Sequence, residues 1–99
     1  MYATVRTLKI HPSFKDENRR RVHDELLEQF RTIPGFIDYY LIYTSKDIEV
    51  SVGFCRDKKG VDAMNKMAND FVKGVAPKVE LANIYEGDVA VQARTPAIA

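Results

Sequence analysis

The stretch from Ile33 to Thr44, IPGFIDYYLIYT, decides the fold. From Phe36 to Tyr43 every residue except Asp38 is large and apolar or aromatic. A strand that shows one face to water normally alternates apolar and polar residues, but this one is apolar on both faces. In a chain of 99 residues the pattern raises the question of what covers the second face.

A strand and a helix are predicted before this stretch. Aromatic and β-branched residues favour a strand at 2–10, which a proline then ends. Apolar residues at spacings of three and four predict a helix over 16–33, with Ser13 or Asp16 as its N-cap. The Pro-Gly pair that follows ends the helix.

Three further elements are predicted after the helix. The quoted stretch forms a strand at 36–44, in which Tyr39 and Tyr43 share one face while Phe36, Tyr40 and Ile42 share the other.

The next strand, at 48–56, alternates large apolar residues with small or polar ones. A second helix over 57–76 begins at the cap Asp57, and a last strand is predicted at 84–93.

This order of elements predicts an α+β, ferredoxin-like βαββαβ domain over residues 1–93, followed by a flexible tail at 94–99. Two right-handed crossovers place both helices on one face of a four-stranded antiparallel sheet. The other face stays apolar and uncovered, so we expect a homodimer in which two sheets face each other as a dimeric α+β barrel.

Composition excludes several classes of function. With 15 basic and 14 acidic residues the net charge is +1, which predicts no binding to nucleic acid or to a membrane surface. The single cysteine and the lack of a metal-binding or dinucleotide-binding motif predict no metal and no cofactor. The N-terminus lacks a signal-peptide pattern, which predicts a cytoplasmic protein.

The chain resembles the antibiotic-biosynthesis-monooxygenase-like family of the dimeric α+β barrel superfamily. The resemblance covers about residues 2–93 and rests on the opening strand MYATVR, on IPGFIDYYLIY after the first helix, and on SVGFCRDKKG leading into the second. It implies the same fold. For function it implies either a cofactor-free oxygenase of phenols and quinols, a heme-degrading enzyme, or a small protein without known activity.

The heme-degrading branch is marked by an Asn on the first strand and by a Trp and a His near the second helix. This chain has no Trp, no Asn on that strand and no His in that helix. The missing Trp also departs from the oxygenase branch, so no catalytic set transfers residue by residue.

Candidate site residues are those expected to border the space between the helices and the sheet. His23 lies beside the apolar stripe of the first helix and is the candidate base, because its pKa is near neutral. Arg19, one turn earlier, is a candidate anion binder, and Asn65 on the second helix is a candidate for orienting a substrate hydroxyl. The alternative for each is an ordinary surface residue, with His23 held by Glu28 or Asp24.

The strands contribute three more candidates for substrate binding. Tyr39 and Tyr43 could stack on a planar aromatic ligand, although core or interface packing is the alternative. Arg6 joins the site only if its face of the first strand looks toward the helices, which the sequence leaves open.

Two functions therefore stay open. The first is a cofactor-independent monooxygenase of a small phenolic, quinol or polyketide-like aromatic, with His23 as base. The second is a non-catalytic dimeric module that binds a small molecule or serves in a stress response.

Overall fold

The structure, a computed structural model, describes residues 1–95. Its strands are β1 (Tyr2–Ile10), β2 (Phe36–Tyr43), β3 (Ile48–Cys55) and β4 (Val79–Asp88). After a 3₁₀ turn, the segments α1 (Lys15–Arg21), a π-helical turn (Val22–Leu26) and α2 (Leu27–Phe30) follow one another and are here called the first helix. The second helix is α3 (Lys58–Val75).

The four strands form one antiparallel sheet in the order β2-β3-β1-β4. Both helices contribute to the core on the same side of this sheet. This arrangement confirms the predicted ferredoxin-like α+β fold.

Helix starts were predicted with mixed success. The carboxylate of Asp57 accepts a hydrogen bond from the Gly60 N–H at 3.0 Å, which confirms the cap of the second helix. The predicted caps of the first helix were wrong. The chain enters through a 3₁₀ turn in which the His11 ring accepts from the Ser13 N–H, and Phe14 precedes α1 without a side-chain cap.

The bounds of the last strand were also wrong, since β4 runs over Val79–Asp88 rather than 84–93. Pairing with β1 sets the bounds of β4. Val79 pairs with Ile10, and both residues are buried. The register shifts between Thr7 and Leu8, and pairing with β4 continues to the end of β1. Residues 96–99 of the predicted tail lie outside the described part of the chain.

A bulge in β2 changes the face of one aromatic residue. Phe36 and Asp38 pair with Cys55 and Phe54, which are successive residues of β3. Phe36 therefore points toward the helices and packs near Phe30, with ring centroids 6.1 Å apart. The prediction that Phe36 shares a face with Tyr40 was wrong because strict alternation does not hold across a bulge.

The two faces of the sheet are now distinct. The covered face, beneath the helices, carries Thr4, Arg6 and Leu8 of β1 and Glu49, Ser51, Gly53 and Cys55 of β3. The open face carries Val5, Tyr40, Ile42, Val50, Val52, Phe54 and Tyr85.

The second helix approaches the covered face closely at one glycine. A Cβ on Gly53 would lie 2.2 Å from the Sδ of Met64, which is itself fully buried. The missing side chain lets the helix pack directly on the sheet.

Candidate functional site

The outer pocket is a hollow of about 190 Å³ between the first helix and β2. Its lining residues are Arg19, Val22, His23, Leu27, Tyr39, Leu41 and Tyr43. The structure thus brings together four of the six predicted site residues, namely the basic pair on the helix and the tyrosine pair on the strand. Val22 and His23 lie in the π-helical turn, a feature that often occurs at functional sites.

The two basic residues lie at the rim of the outer pocket. The side chain of His23 is 74% exposed, and its Nδ1 lies 3.0 Å from Asp24 Oδ1. The Arg19 guanidinium is similarly exposed and lies 3.4 Å from Asp16. The structure therefore places both basic side chains at the solvent-facing edge of the pocket.

The two tyrosines form the strand side of the pocket. Tyr39 packs against Phe30 with ring centroids 4.9 Å apart, and burial raises its pKa to about 12. Tyr43 donates a hydrogen bond from its hydroxyl to the Lys15 carbonyl at 2.8 Å. Both rings are held in place by these contacts, as stacking on a flat ligand requires.

The inner cavity lies deeper, between the covered face and both helices, and has a volume of about 20 Å³. Its polar lining consists of Arg6, Tyr39, Glu49 and Ser51. The remaining lining is apolar and includes Leu26 of the first helix together with Phe71 and Val72 of the second. Tyr39 and Leu41 line both hollows and form the wall between them.

Arg6 is only 2% exposed, so its face of β1 does look toward the helices. One guanidinium nitrogen, Nη2, donates to Asn69 Oδ1, while Nε is buried without a hydrogen-bond partner among the described residues. Burial lowers the pKa of Arg6, but a guanidinium stays charged in proteins. The cavity therefore contains a cation with an unused donor.

Glu49 is the second charged residue of this cavity, and it is 3% exposed. Its Oε2 accepts a hydrogen bond from Asn18 Nδ2 at 3.0 Å, while Asn18 Oδ1 has no partner within residues 1–95. The donor is a neutral amide, which stabilises a carboxylate less than a cation does. Burial raises the pKa of Glu49 to about 7.

Asn65, the sixth predicted residue, lines neither hollow. Its Oδ1 accepts from the Thr4 hydroxyl at 3.0 Å, and its Nδ2 donates to Glu86 at 2.8 Å. The amide thereby links the second helix to β1 and β4.

Sequence reasoning missed Glu49, Ser51 and Asn18. A signal was present for Asn18, which precedes Val22 by four residues and so continues the apolar stripe of the first helix. For β3, the small and polar alternate positions marked one face, but the sequence did not reveal that this face lies under the helices.

The described residues contain neither a metal-binding cluster nor a membrane-spanning helix. Residues 1–95 contain no group of three or more His, Cys, Asp or Glu side chains placed to hold a metal ion. No helix in this range is both long and apolar enough to cross a bilayer.

Comparisons of the sequence found no matching protein-family model and no matching curated protein. Solved structures do match. HapK from Hahella chejuensis superposes with a TM-score of 0.78 at 12% identity, over 98% of this chain and 100% of HapK.

Two further matches have a stated activity. MhuD from Mycobacterium tuberculosis, a heme-degrader with two hemes bound in its active site, matches with a TM-score of 0.70 at 14% identity over 95% of this chain and 100% of MhuD. The monooxygenase ActVA-Orf6 of Streptomyces coelicolor, in complex with Nanaomycin D, matches with a TM-score of 0.68 at 12% identity over 97% and 92% of the two chains.

These matches define the class of protein by its fold. The chain has the same ferredoxin-like α+β fold as these proteins, as the sequence predicts. At these identities the likeness concerns the fold, and the chemistry must be argued from this chain's own residues.

Proposed function

We propose that this protein is a cofactor-independent monooxygenase that acts on a small phenolic, quinol or polyketide-like aromatic substrate. The observation that carries the proposal is the outer pocket, where fixed tyrosine rings lie next to a deeper cavity containing buried charges. A planar substrate would stack on Tyr39 and Tyr43 and keep its hydroxyl at the wall between the two hollows. The similar fold of ActVA-Orf6, a monooxygenase, supports this reading.

The reaction needs no reductant other than the substrate. Removal of the hydroxyl proton gives a phenolate, which transfers electrons to dioxygen and forms a carbon–oxygen bond to a hydroperoxide. Cleavage of the O–O bond with loss of water leaves a quinone. One phenol and one dioxygen thus give one quinone and one water, and the apolar lining of the site shields the intermediate from solvent.

The protein works as a homodimer in this proposal. Tyr40 and Tyr85 of the open face are 53% and 62% exposed, and a hollow of about 400 Å³ lies beside Tyr40 and Phe54. An apolar sheet face of this kind is unfavourable in water. An identical sheet related by a two-fold axis matches its size and its apolar character.

Oxygen consumption tests the proposed activity. Purified, metal-free protein is mixed with a panel of quinols and naphthols, and dioxygen uptake is measured together with quinone absorbance. We expect stoichiometric uptake and quinone formation. Leu27→Trp, which fills the outer pocket, should lower kcat/KM by at least about tenfold, whereas Gln29→Trp on the exposed side of the first helix should not.

The alternative is a non-catalytic dimeric module that binds a small molecule. It is favoured by the exposure of His23, the base predicted from the sequence. Binding of the panel compounds without uptake of dioxygen would contradict the oxygenase proposal and support this alternative. Heme degradation is tested by titration with heme, where a Soret shift and loss of the porphyrin spectrum would indicate it.

A further inference from the structure

The inner cavity contains two charged side chains that are not directly paired. Arg6 lies opposite Ser51 in the β1–β3 ladder, and Glu49 is two residues from Ser51 on the same face. Such diagonal neighbours are separated by roughly 7–8 Å at the backbone. The space between their side chains is the cavity that both residues line.

The rest of the surroundings isolates this pair from water. Leu26 of the first helix and Phe71 and Val72 of the second close the cavity on the helix side. A volume of about 20 Å³ is enough for one hydroxyl group or one water molecule, because about 10–15 Å³ is the minimum for a water. A single polar group in this cavity would lie among its polar lining residues, which include Arg6 and Glu49.

We infer that Glu49 is the residue that takes the proton from a phenolic hydroxyl held at the wall between the outer pocket and the inner cavity, with Arg6 as charge partner of the resulting phenolate. The O–H bond of the phenol breaks, its proton moves to the Glu49 carboxylate directly or through one water, and the negative charge on the phenolate oxygen lies next to Arg6. The inference deepens the proposed function and rests on it for the later reaction with dioxygen.

The titratable and charged groups around Glu49 fit this role. Arg6 of β1 favours the phenolate, and Tyr39 and Tyr43 of β2 stay protonated because burial raises their pKa values. On the first helix, Asn18 holds one carboxylate oxygen without contributing a charge. A carboxyl group that titrates near neutrality is well suited to accept and return a proton at that pH.

Proton uptake on ligand binding tests the inference without requiring turnover. The probe is 4-nitrophenol, added at about pH 8, where its phenolate predominates and absorbs in the visible. If the bound phenolate forces a proton onto Glu49, calorimetry in buffers of different ionisation enthalpy will show uptake of about one proton per site.

Glu49→Gln should bind the same phenolate with uptake near zero, and Glu28→Gln, an exposed change on the first helix, should behave like wild type. Failure of 4-nitrophenol to bind, uptake near zero in wild type, or equal uptake in Glu49→Gln would each overturn the inference.

A second measurement needs no variant. The carboxyl carbon of Glu49, followed by ¹³C NMR in the ligand-free protein, should titrate with a midpoint near pH 7. A midpoint below about pH 5, close to that of an ordinary glutamate, would contradict the role.

Turnover separates this inference from the proposed function. With an active substrate, Glu49→Gln should lower kcat by roughly 10²–10⁴-fold while KM changes little, and Glu49→Asp should restore part of the rate. Full turnover in Glu49→Gln would overturn the role of Glu49 and leave the oxygenase intact. Proton uptake that depends on Glu49, in a protein that turns over no panel compound, would leave the inference and remove the proposed function.

Discussion

The two faces of the same sheet each depart, at particular positions, from the usual relation between polarity and burial. The covered face places Arg6 and Glu49 under the helices, where they are 2% and 3% exposed. The open face leaves Tyr40 and Tyr85 more than half exposed. A globular domain normally buries its apolar face and leaves charge outside. In the proposed function each face has a task of its own, which is ligand chemistry on the covered face and association on the open face.

The largest effect is expected from a charge placed on the open face. Val52→Arg puts a cation in the middle of the proposed dimer interface, between Val5 and Tyr40. Burying an unpaired charge costs several kcal/mol, so the dimer dissociation constant should rise on the order of 10³-fold. Sedimentation velocity of Val52→Arg measures this, with Gln29→Arg on the helix surface as the control for added charge. A wild-type protein that sediments as a monomer would contradict the proposal that the open face mediates association.

The next effect concerns the buried carboxyl group of the covered face. The pKa of Glu49 is raised from 4.5 to about 7, so between these values the folded state binds a proton that the unfolded state does not. The free energy of unfolding should therefore fall as pH rises through this window, by roughly 3 kcal/mol in total. Urea unfolding at a series of pH values measures it.

Glu49→Gln removes the ionisation but keeps the shape and the hydrogen-bond acceptor. This variant should be more stable than wild type at about pH 8, and its free energy of unfolding should not fall as pH rises through this window. A wild-type profile that is flat between pH 4.5 and 7 would show that Glu49 is not desolvated in solution.

A smaller effect tests how tightly the second helix packs on the covered face. Gly60→Ala would place a Cβ 2.8 Å from Cys55 Cβ, whereas Gly74 has nothing within 4 Å. Gly60→Ala should lower the free energy of unfolding by about 1–3 kcal/mol through overpacking. Gly74→Ala, in the same helix, should raise it by up to about 1 kcal/mol through helix propensity. Equal effects of the two changes in urea unfolding would contradict the close contact.

The smallest effect on stability is expected at the rim of the outer pocket. Because the His23 side chain is largely exposed, His23→Gln should change the free energy of unfolding by less than about 0.5 kcal/mol. Any loss of turnover in this variant would then report chemistry at the rim rather than misfolding. A large loss of turnover in His23→Gln, with Glu49→Gln unimpaired, would indicate that the base is His23 at the surface rather than Glu49 in the inner cavity.

Much of the fold was predictable because it follows from local patterns. The bounds of β1 agree with the predicted 2–10, and Asp57 caps the second helix as its position before a helical apolar pattern indicates. The start of β4 was not predictable in this way. Its residues are mostly exposed, so their strand state comes from pairing with β1 rather than from an alternating pattern.

The candidate site likewise contains some residues that local patterns predict and others that they do not. His23, Arg19 and the tyrosine pair could be placed from helix and strand periodicity, because each borders an apolar stripe. Glu49 could not, since a lone acidic residue in a strand is normally assigned to the solvent side. Its burial results from contacts with the first helix, 31 positions away at Asn18.

The sequence by itself determined the order of the elements, the apolar character of both sides of β2 and the excess of apolar sheet surface, because these depend on residue types at fixed spacings. Only the tertiary structure decided which face lies under the helices. That choice follows from the close packing of the second helix on β3, where Gly53 meets Met64 and Gly60 meets Cys55, and from the bulge at Phe36. It is also what brings Arg6 and Glu49 into one buried cavity, where desolvation changes the ionisation of a carboxyl group that would otherwise be an ordinary surface charge.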